Sequence, residues 1–262
     1  MINLRLPLYY LMSYFLINPK ILKKSFFLLW LSSFYSHSAP FEIKVHDELI
    51  AEYQQSAYEI ETNLYPTLIS PNQKANVFQT RLEYGYGIAQ NSELGINVYL
   101  SNYNGENFFN GGKISHLYVP THDENGLWHY GVKNEINYIK DIGGEETVFY
   151  EFTPIFAVQL QDWRFVINPS VDVTLNKTSY MSFSPSAKLT HSYNHKIDLG
   201  IEYYTDNLPF KSLSNISQQP NTAYLVTNVK HGTSLFHFGV GKGLTSSSDS
   251  WVLKMIASFN FD

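Results

Sequence analysis

The sequence predicts an all-β fold, an antiparallel up-and-down transmembrane β-barrel of about twelve strands with short periplasmic turns and longer extracellular loops. Three observations predict it. The first is the closing segment Ser250–Phe261, S-W-V-L-K-M-I-A-S-F-N-F, read with period two. Trp251, Leu253, Met255, Ala257, Phe259 and Phe261 fall on one face, and Val252, Lys254, Ile256, Ser258 and Asn260 on the other. The second is composition: charged residues are only 16% while aromatic residues also reach 16%, with 20 Tyr and 18 Phe, and the mean hydropathy is −0.20. Lipid-facing apolar residues alternating with polar lumen residues average out this way, whereas the outer faces of a soluble β-sandwich would carry more charge. The third is the recurrence of amphipathic segments of roughly ten residues along the chain, the span of a tilted membrane strand. At 262 residues there is room for one such barrel and little else.

The N-terminus reads as an export signal. Lys20, Lys23 and Lys24 precede the apolar run Phe26–Leu31, and small residues follow up to Ser36-His37-Ser38-Ala39-Pro40. The run is too short to cross a bilayer. Cleavage after Ser38 makes residues 1–38 a signal peptide, and initiation at Met12 would give it an ordinary length. Residues 39–50 read as a periplasmic lead-in that packs at the barrel mouth or in the lumen, and residues 51–262 as the barrel.

The strands follow in order. Glu52–Leu64 is strand-like with blurred alternation, and Pro66, Ser70, Pro71 and Asn72 mark a loop. Phe78, Leu82, Tyr84 and Tyr86 oppose Gln79, Arg81, Glu83 and Gly85; a slip of one residue would put Arg81 and Glu83 in lipid, so the register is strongly specified. After a turn at Ala89–Ser92, Leu94, Ile96, Val98 and Leu100 alternate with Glu93, Gly95, Asn97 and Tyr99. Asn102–Gly112, rich in Asn and Gly, reads as an outer loop, and Lys113–Val119 as a short strand whose loss would leave ten strands and an interior segment. Trp128, Tyr130, Val132 and Ile136 alternate with His129, Gly131, Lys133 and Glu135. Thr147–Leu160 and Trp163–Leu175 form a hairpin about Gln161-Asp162, and Pro154 and Pro169, which cannot donate to a ladder, predict a bulge or local break. Two further amphipathic strands flank a turn at His191–His195, and Asp206–Pro220 is the longest loop of the second half. Ala223–Val229 is strand-like with ambiguous facing, and Phe236, Phe238 and Val240 face away from Gly239 and Gly241. Thr245–Asp249 is a loop before the closing strand, and the short turns and long loops sort to opposite ends, with both termini in the periplasm.

Several segments carry a resemblance. E-I-K-V-H-D-E-L-I at 42–50, Y-G-Y-G-I-A-Q-N-S-E-L-G-I-N-V-Y-L at 84–100, F-V-I-N-P-S-V-D-V at 165–173, F-S-P-S-A-K-L at 183–189, L-G-I-E-Y-Y at 199–204 and G-V-G-K-G-L-T-S-S-S-D-S-W-V-L-K at 239–254 are similar to a largely uncharacterised bacterial outer-membrane β-barrel family. That family is related in style to the barrels encoded with meta-pathway phenol-degradation genes. The resemblance covers almost the whole mature chain. It implies a barrel in the cell outer membrane acting as a channel or transporter for small molecules, with an apolar or aromatic solute as the family analogy, and it brings no catalytic motif.

The chemistry available is a lumen lining. Inward-facing charges are Arg81, Glu83, Glu93, Lys133, Glu135, Glu151, Arg164, Asp172, Lys188, Lys196, Asp198, Glu202 and Lys254, nearly balanced in sign. Arg81, Arg164 and Lys188 opposite Glu83, Glu151, Asp172 and Glu202 are the leading candidates, with Glu135 and Lys254 beside them. They either line a polar channel for a small-molecule solute or fill a closed structural barrel with ion pairs. An outer-membrane lipid hydrolase is the rival class, but the pairs Ser115/His116 and His191/Ser192 are strand neighbours pointing to opposite faces. No enzyme, cofactor or metal site is expected: Cys is absent and the nine His show no ligand spacing. A net charge of −5 without a basic cluster in the mature chain makes nucleic acid an unexpected partner. The expected partners are outer-membrane lipid and the barrel-assembly machinery, for which Phe259 and Phe261 would be the assembly signal.

Overall fold

A computed structural model of the chain describes residues 42–70, 73–103, 105–120, 127–141, 144–176, 180–206, 208–209 and 219–261. The predicted signal peptide, its cleavage point and the Met12 start lie outside these residues. Among the described residues twelve long strands run in chain order: β1 (Ser56–Ser70), β2 (Gln73–Ala89), β3 (Ser92–Tyr103), β4 (Glu106–Tyr118), β5 (Trp128–Lys140), β6 (Glu146–Leu160), β7 (Trp163–Thr174), β8 (Met181–Asn194), β9 (Ile197–Thr205), β10 (Asn221–His231), β11 (Ser234–Gly243) and β12 (Trp251–Phe261). Each pairs antiparallel with its predecessor. β12 then pairs with β1, from Ser56↔Phe261 to Leu64↔Leu253, and the sheet closes. Leu208 and Pro209 add a two-residue ladder beside β8. Closure leaves no edge strand, the condition for crossing a bilayer with strands.

The alternation decides which face meets lipid. Along β3 the burial repeats with period two, placing Leu94, Ile96, Val98 and Leu100 outside and Glu93, Asn97 and Tyr99 inside. The same belt continues through Phe78, Leu82, Ile114, Ile136, Phe156, Phe165, Leu199, Ile201, Leu225, Val240 and Leu253, all exposed. An exposed apolar band of this extent is stable in hydrocarbon and not in water. Tyr58, Tyr84, Tyr86, Trp128 and Trp163 ring the end that carries both barrel termini, while Tyr180, Tyr203 and Trp251 lie toward the other.

Local departures have local causes. Pro66 and Ser70, expected in a loop, belong to β1, which runs through the one to the other. Of Asn102–Gly112, expected as a loop, Asn102 and Tyr103 end β3 and Glu106–Gly112 open β4, and the security of this strand rules out the ten-strand alternative. The alternation is hidden because a bulge at Asn110–Gly111 sits opposite Tyr99/Leu100 and turns two successive residues inward. Gly111 adopts φ +119°, and a Cβ there would lie 1.9 Å from the carbonyl oxygen of Tyr138. Pro154 and Pro169 give a break without a slip. Between Phe152↔Val171 and Phe156↔Ile167 the β6–β7 pairing lapses while the register is kept. Pro169 stands opposite Pro185 on β8, so three prolines line up across neighbouring strands. Lys196, expected in the lumen, lies exposed in the β8–β9 turn, because β8 continues to Asn194 before the chain reverses.

Candidate functional site in the barrel lumen

The site is built where an N-terminal strap, Glu42–Gln55, meets the inner wall. The strap is a finger inserted into the lumen, with Glu42 and Ile43 deepest among the described residues and Gln55 leading out into β1. Ile43, Val45 and Ala51 are each at most 2% exposed. Twelve strands enclose more space than wall side chains alone can fill and less than a wide aqueous pore, so one extended segment fits. At the exit, Gln54 N–H donates to the Gly87 carbonyl at 2.8 Å and Gly87 N–H to that of Gln55 at 3.1 Å. The approach is so close that a Cβ on Gly87 would lie 1.8 Å from the Glu52 carbonyl oxygen.

Polar bonds anchor the strap around the wall. The Glu42 carboxylate meets Arg81 Nη1 at 2.9 Å, Lys133 Nζ at 3.4 Å and Lys113 Nζ. Ile43 N–H donates to Glu61 at 2.7 Å, and Lys254 donates to the Ile43 carbonyl at 2.9 Å. Lys44 pairs with Glu59 at 2.7 Å. His46 and Asn168 exchange two bonds, His46 N–H to Asn168 Oδ1 at 2.7 Å and Asn168 Nδ2 to the His46 carbonyl at 2.9 Å. Asp47 bridges Arg164 at 3.1 Å and Lys188 at 2.8 Å. Ile50 and Ala51 N–H groups both donate to Glu93 at 2.7 Å. Burial pushes the Asp47 carboxyl up, but Lys188 and Arg164 outweigh it and hold it well below the usual carboxylate range. Burial, then the charge of Lys133, lowers the His46 imidazole well below its ordinary value, which suits an acceptor of the Lys133 Nζ bond at 3.0 Å.

Apart from Lys196, the predicted inward charges face the lumen, and the structure divides them into groups. Arg81 is 1% exposed and is held by Glu59, Glu61 and Glu83 from β1 and β2, with Asn97 at 3.0 Å. Glu135 neutralises both Lys113, at 2.6 Å, and Lys133, at 2.8 Å. Glu202 binds Lys254, which packs over Tyr204 and Tyr224 with its Nζ 5.1 and 4.8 Å from the ring centroids. Arg164 and Lys188 meet through Asp47. Glu151 and Asp172 face each other across β6–β7 and are held by hydroxyls, Thr153 to Glu151 at 2.9 Å and Ser184 to Asp172 at 2.7 Å. Ser115 is buried inside while His116 lies on the outer face near Ser92, so that pair forms no dyad.

Sequence reasoning missed Glu59, Glu61 and Lys113, and the strap acids Glu42 and Asp47. The signal for Glu59 and Glu61 exists: from Ser56 onward Tyr58, Ile60 and Leu64 alternate cleanly with Glu59, Glu61 and Asn63, and only the inclusion of Glu52–Gln55 blurred it. The strap contacts leave no periodic trace.

Toward the far end a second polar tier follows. Asn63, Gln79 and Ser101 stand side by side through the registers Asn63↔Gln79 and Gln79↔Ser101, with Tyr65 and Asn110 nearby. Asn63 Oδ1, Tyr65 OH, Gln79 Oε1, Ser101 Oγ and Asn110 Oδ1 are buried without a protein hydrogen-bond partner. At the opposite end Phe259 and Phe261 point outward, edge-on to Phe236 and Tyr58 at 6.0 and 5.5 Å between ring centroids.

No family model matches the chain, and no curated protein does. Solved structures do. The chain is similar to the COG4313 outer membrane channel from Pseudomonas putida F1, with a TM-score of 0.58 at 11% identity over 84% of this chain and 100% of that one. It is similar to the KdgM porin, with a TM-score of 0.54 at 10% identity over 79% of this chain and 99% of that one. The NanC porin gives 0.50 at 12% identity, over 78% and 100%. At these identities the likeness is one of fold. With the exposed apolar belt, it places the chain as a β-barrel of the cell outer membrane.

Proposed function

We propose that this barrel is a channel for small molecules whose resting state is closed by its own N-terminal strap. The observation that carries the reading is the tier of buried, unpartnered polar atoms at Asn63, Tyr65, Gln79, Ser101 and Asn110. Each such atom costs about 1–3 kcal/mol in a permanently sealed interior. A solute path gives them partners in passing, and a purely structural core would have replaced them with apolar groups. The strap supports the reading, since its hold on the wall is mainly ionic and hydrogen-bonded and so is reversible in water. The second reading, a closed structural barrel, is favoured by the dense ion pairing around Arg81 and Lys254.

Under this reading Arg81, Glu83, Glu135, Glu151, Arg164, Asp172, Lys188, Glu202 and Lys254 set the electrostatics of the path. An aromatic solute rests on the resemblance to the phenol-degradation barrels alone. Outward Phe259 and Phe261 at the end of β12 are accessible to the barrel-assembly machinery in the role of assembly signal. Reconstitution in planar bilayers tests the reading. Brief conductance steps in the native protein, made frequent by substitutions that free the strap, are expected. A silent barrel in native and strap-freed forms alike, with heat-modifiable gel migration intact, would establish the structural barrel instead.

A further inference from the structure

Deepening that reading, we infer that the mid-lumen is a binding site for small carboxylates, and that the strap closes it by presenting the side chains of Glu42 and Asp47 in their place. The wall's other strong cations are matched from the wall itself: Arg81 by Glu59, Glu61 and Glu83, and Lys254 by Glu202. Two cation pairs are not. Lys113 and Lys133, each about 3% exposed or less by side chain, share the single carboxylate of Glu135, and the strap's Glu42 supplies the second. Arg164 and Lys188 meet through Asp47, and among the described residues no wall carboxylate is ion-paired to either.

A carboxylate arriving in place of Glu42 would find Lys113 and Lys133 with Arg81 beside them, the convergent donors that buried anions require. Asp47 stands five positions after Glu42, an extended span of at most about 18 Å. The two cation pairs are therefore successive stations for a monocarboxylate, and a short dicarboxylate leaves one station before filling the next. Glu151 and Asp172 lie one and two strands beyond Glu135 and are held by hydroxyls, and among the described residues neither is ion-paired to Lys113 or Lys133. The strap's cation, Lys44, meets Glu59, which keeps Arg81 and Ser258 when the strap leaves. Anionic solutes compete with the strap for its seats, so the cargo itself opens the path.

The chain lacks cysteine, which makes the test direct. Full-length protein carrying Val45→Cys, a strap position 2% exposed, is labelled with an impermeant maleimide in the presence of succinate, its neutral isostere succinamide, or the dication putrescine. Succinate should accelerate labelling several-fold and saturably, with little effect from the other two. Adding Lys113→Gln and Lys133→Gln should remove the succinate response. Equal responses to succinate and succinamide, or a larger one to putrescine, would overturn the proposal. If Val45→Cys does not yield a heat-modifiable barrel, hydrogen exchange of the strap amides in the native protein reads the same competition. A strap that responds to succinate in a barrel that never conducts would sink the channel reading and keep the carboxylate site, whereas conductance without a carboxylate-specific response would sink the site alone.

Discussion

Gly87→Ala isolates the strap from the barrel. Gly87 lies on β2 where the ladder to β3 is already ending, in register with Glu93, so the wall survives a methyl group there. The strap does not. The new Cβ would stand 1.8 Å from the Glu52 carbonyl oxygen, 2.4 Å from its carbon and 2.8 Å from the Tyr53 nitrogen, all backbone atoms that no rotamer can move. The exit must lift, breaking the Gln54 to Gly87 and Gly87 to Gln55 bonds. Lifting Glu52 also drags Ala51 and Ile50, whose N–H groups both donate to Glu93. Two to four hydrogen bonds at about 1 kcal/mol each give a loss of roughly 2–4 kcal/mol in strap docking, or about 30- to 1,000-fold in the docked-to-free ratio. Hydrogen exchange across residues 42–55 should speed up by that factor while β2 and β3 amides keep their protection. Unchanged strap exchange in a variant with native gel migration would refute the view that the Gly87 contact holds the strap in place.

Acid should release the strap. Asp47 and His46 are both depressed when docked, so each contributes docking stability above its undocked pKa and loses it as the pH falls. Below about pH 6.5 the free imidazole protonates while the docked one, facing Lys133 on β5 and Glu42 and Lys44 on its own segment, does not. That costs up to about 1.4 kcal/mol per pH unit, and Asp47 adds to it below about pH 4; strap exchange or open probability measured from neutral to acid should rise, and flat behaviour would contradict both assignments. Lys254→Met strands the Glu202 carboxylate, 3% exposed, and should cost about 3–5 kcal/mol in urea-dependent folding into liposomes, with Glu202→Gln added to Lys254→Met recovering part of it. Ile96→Arg on the lipid face, where Ile96 is 58% exposed, should cost about 2–4 kcal/mol near the bilayer midplane in the same assay, and a neutral result would move the lipid belt elsewhere.

The polypeptide's own alternation determined which face each strand shows. Phe78 to Tyr86 and Leu94 to Leu100 were legible because a period-two pattern is a property of neighbours in sequence, and a buried Arg81 leaves no second register. The pattern failed where geometry is not periodic, at the Asn110–Gly111 bulge, and where both faces are apolar, as on β10, whose Tyr224 and Val226 turn inward over Lys254 and the glycines of β11. It also ran out in the strap. Glu42, Asp47 and the cations they meet are separated by up to 141 positions along the chain, Lys188 from Asp47. Their pairing exists only once twelve strands close and bring β2, β4, β5, β7 and β8 around one lumen. Local chemistry therefore wrote the barrel wall, and closure alone decided that its interior is occupied and by which charges.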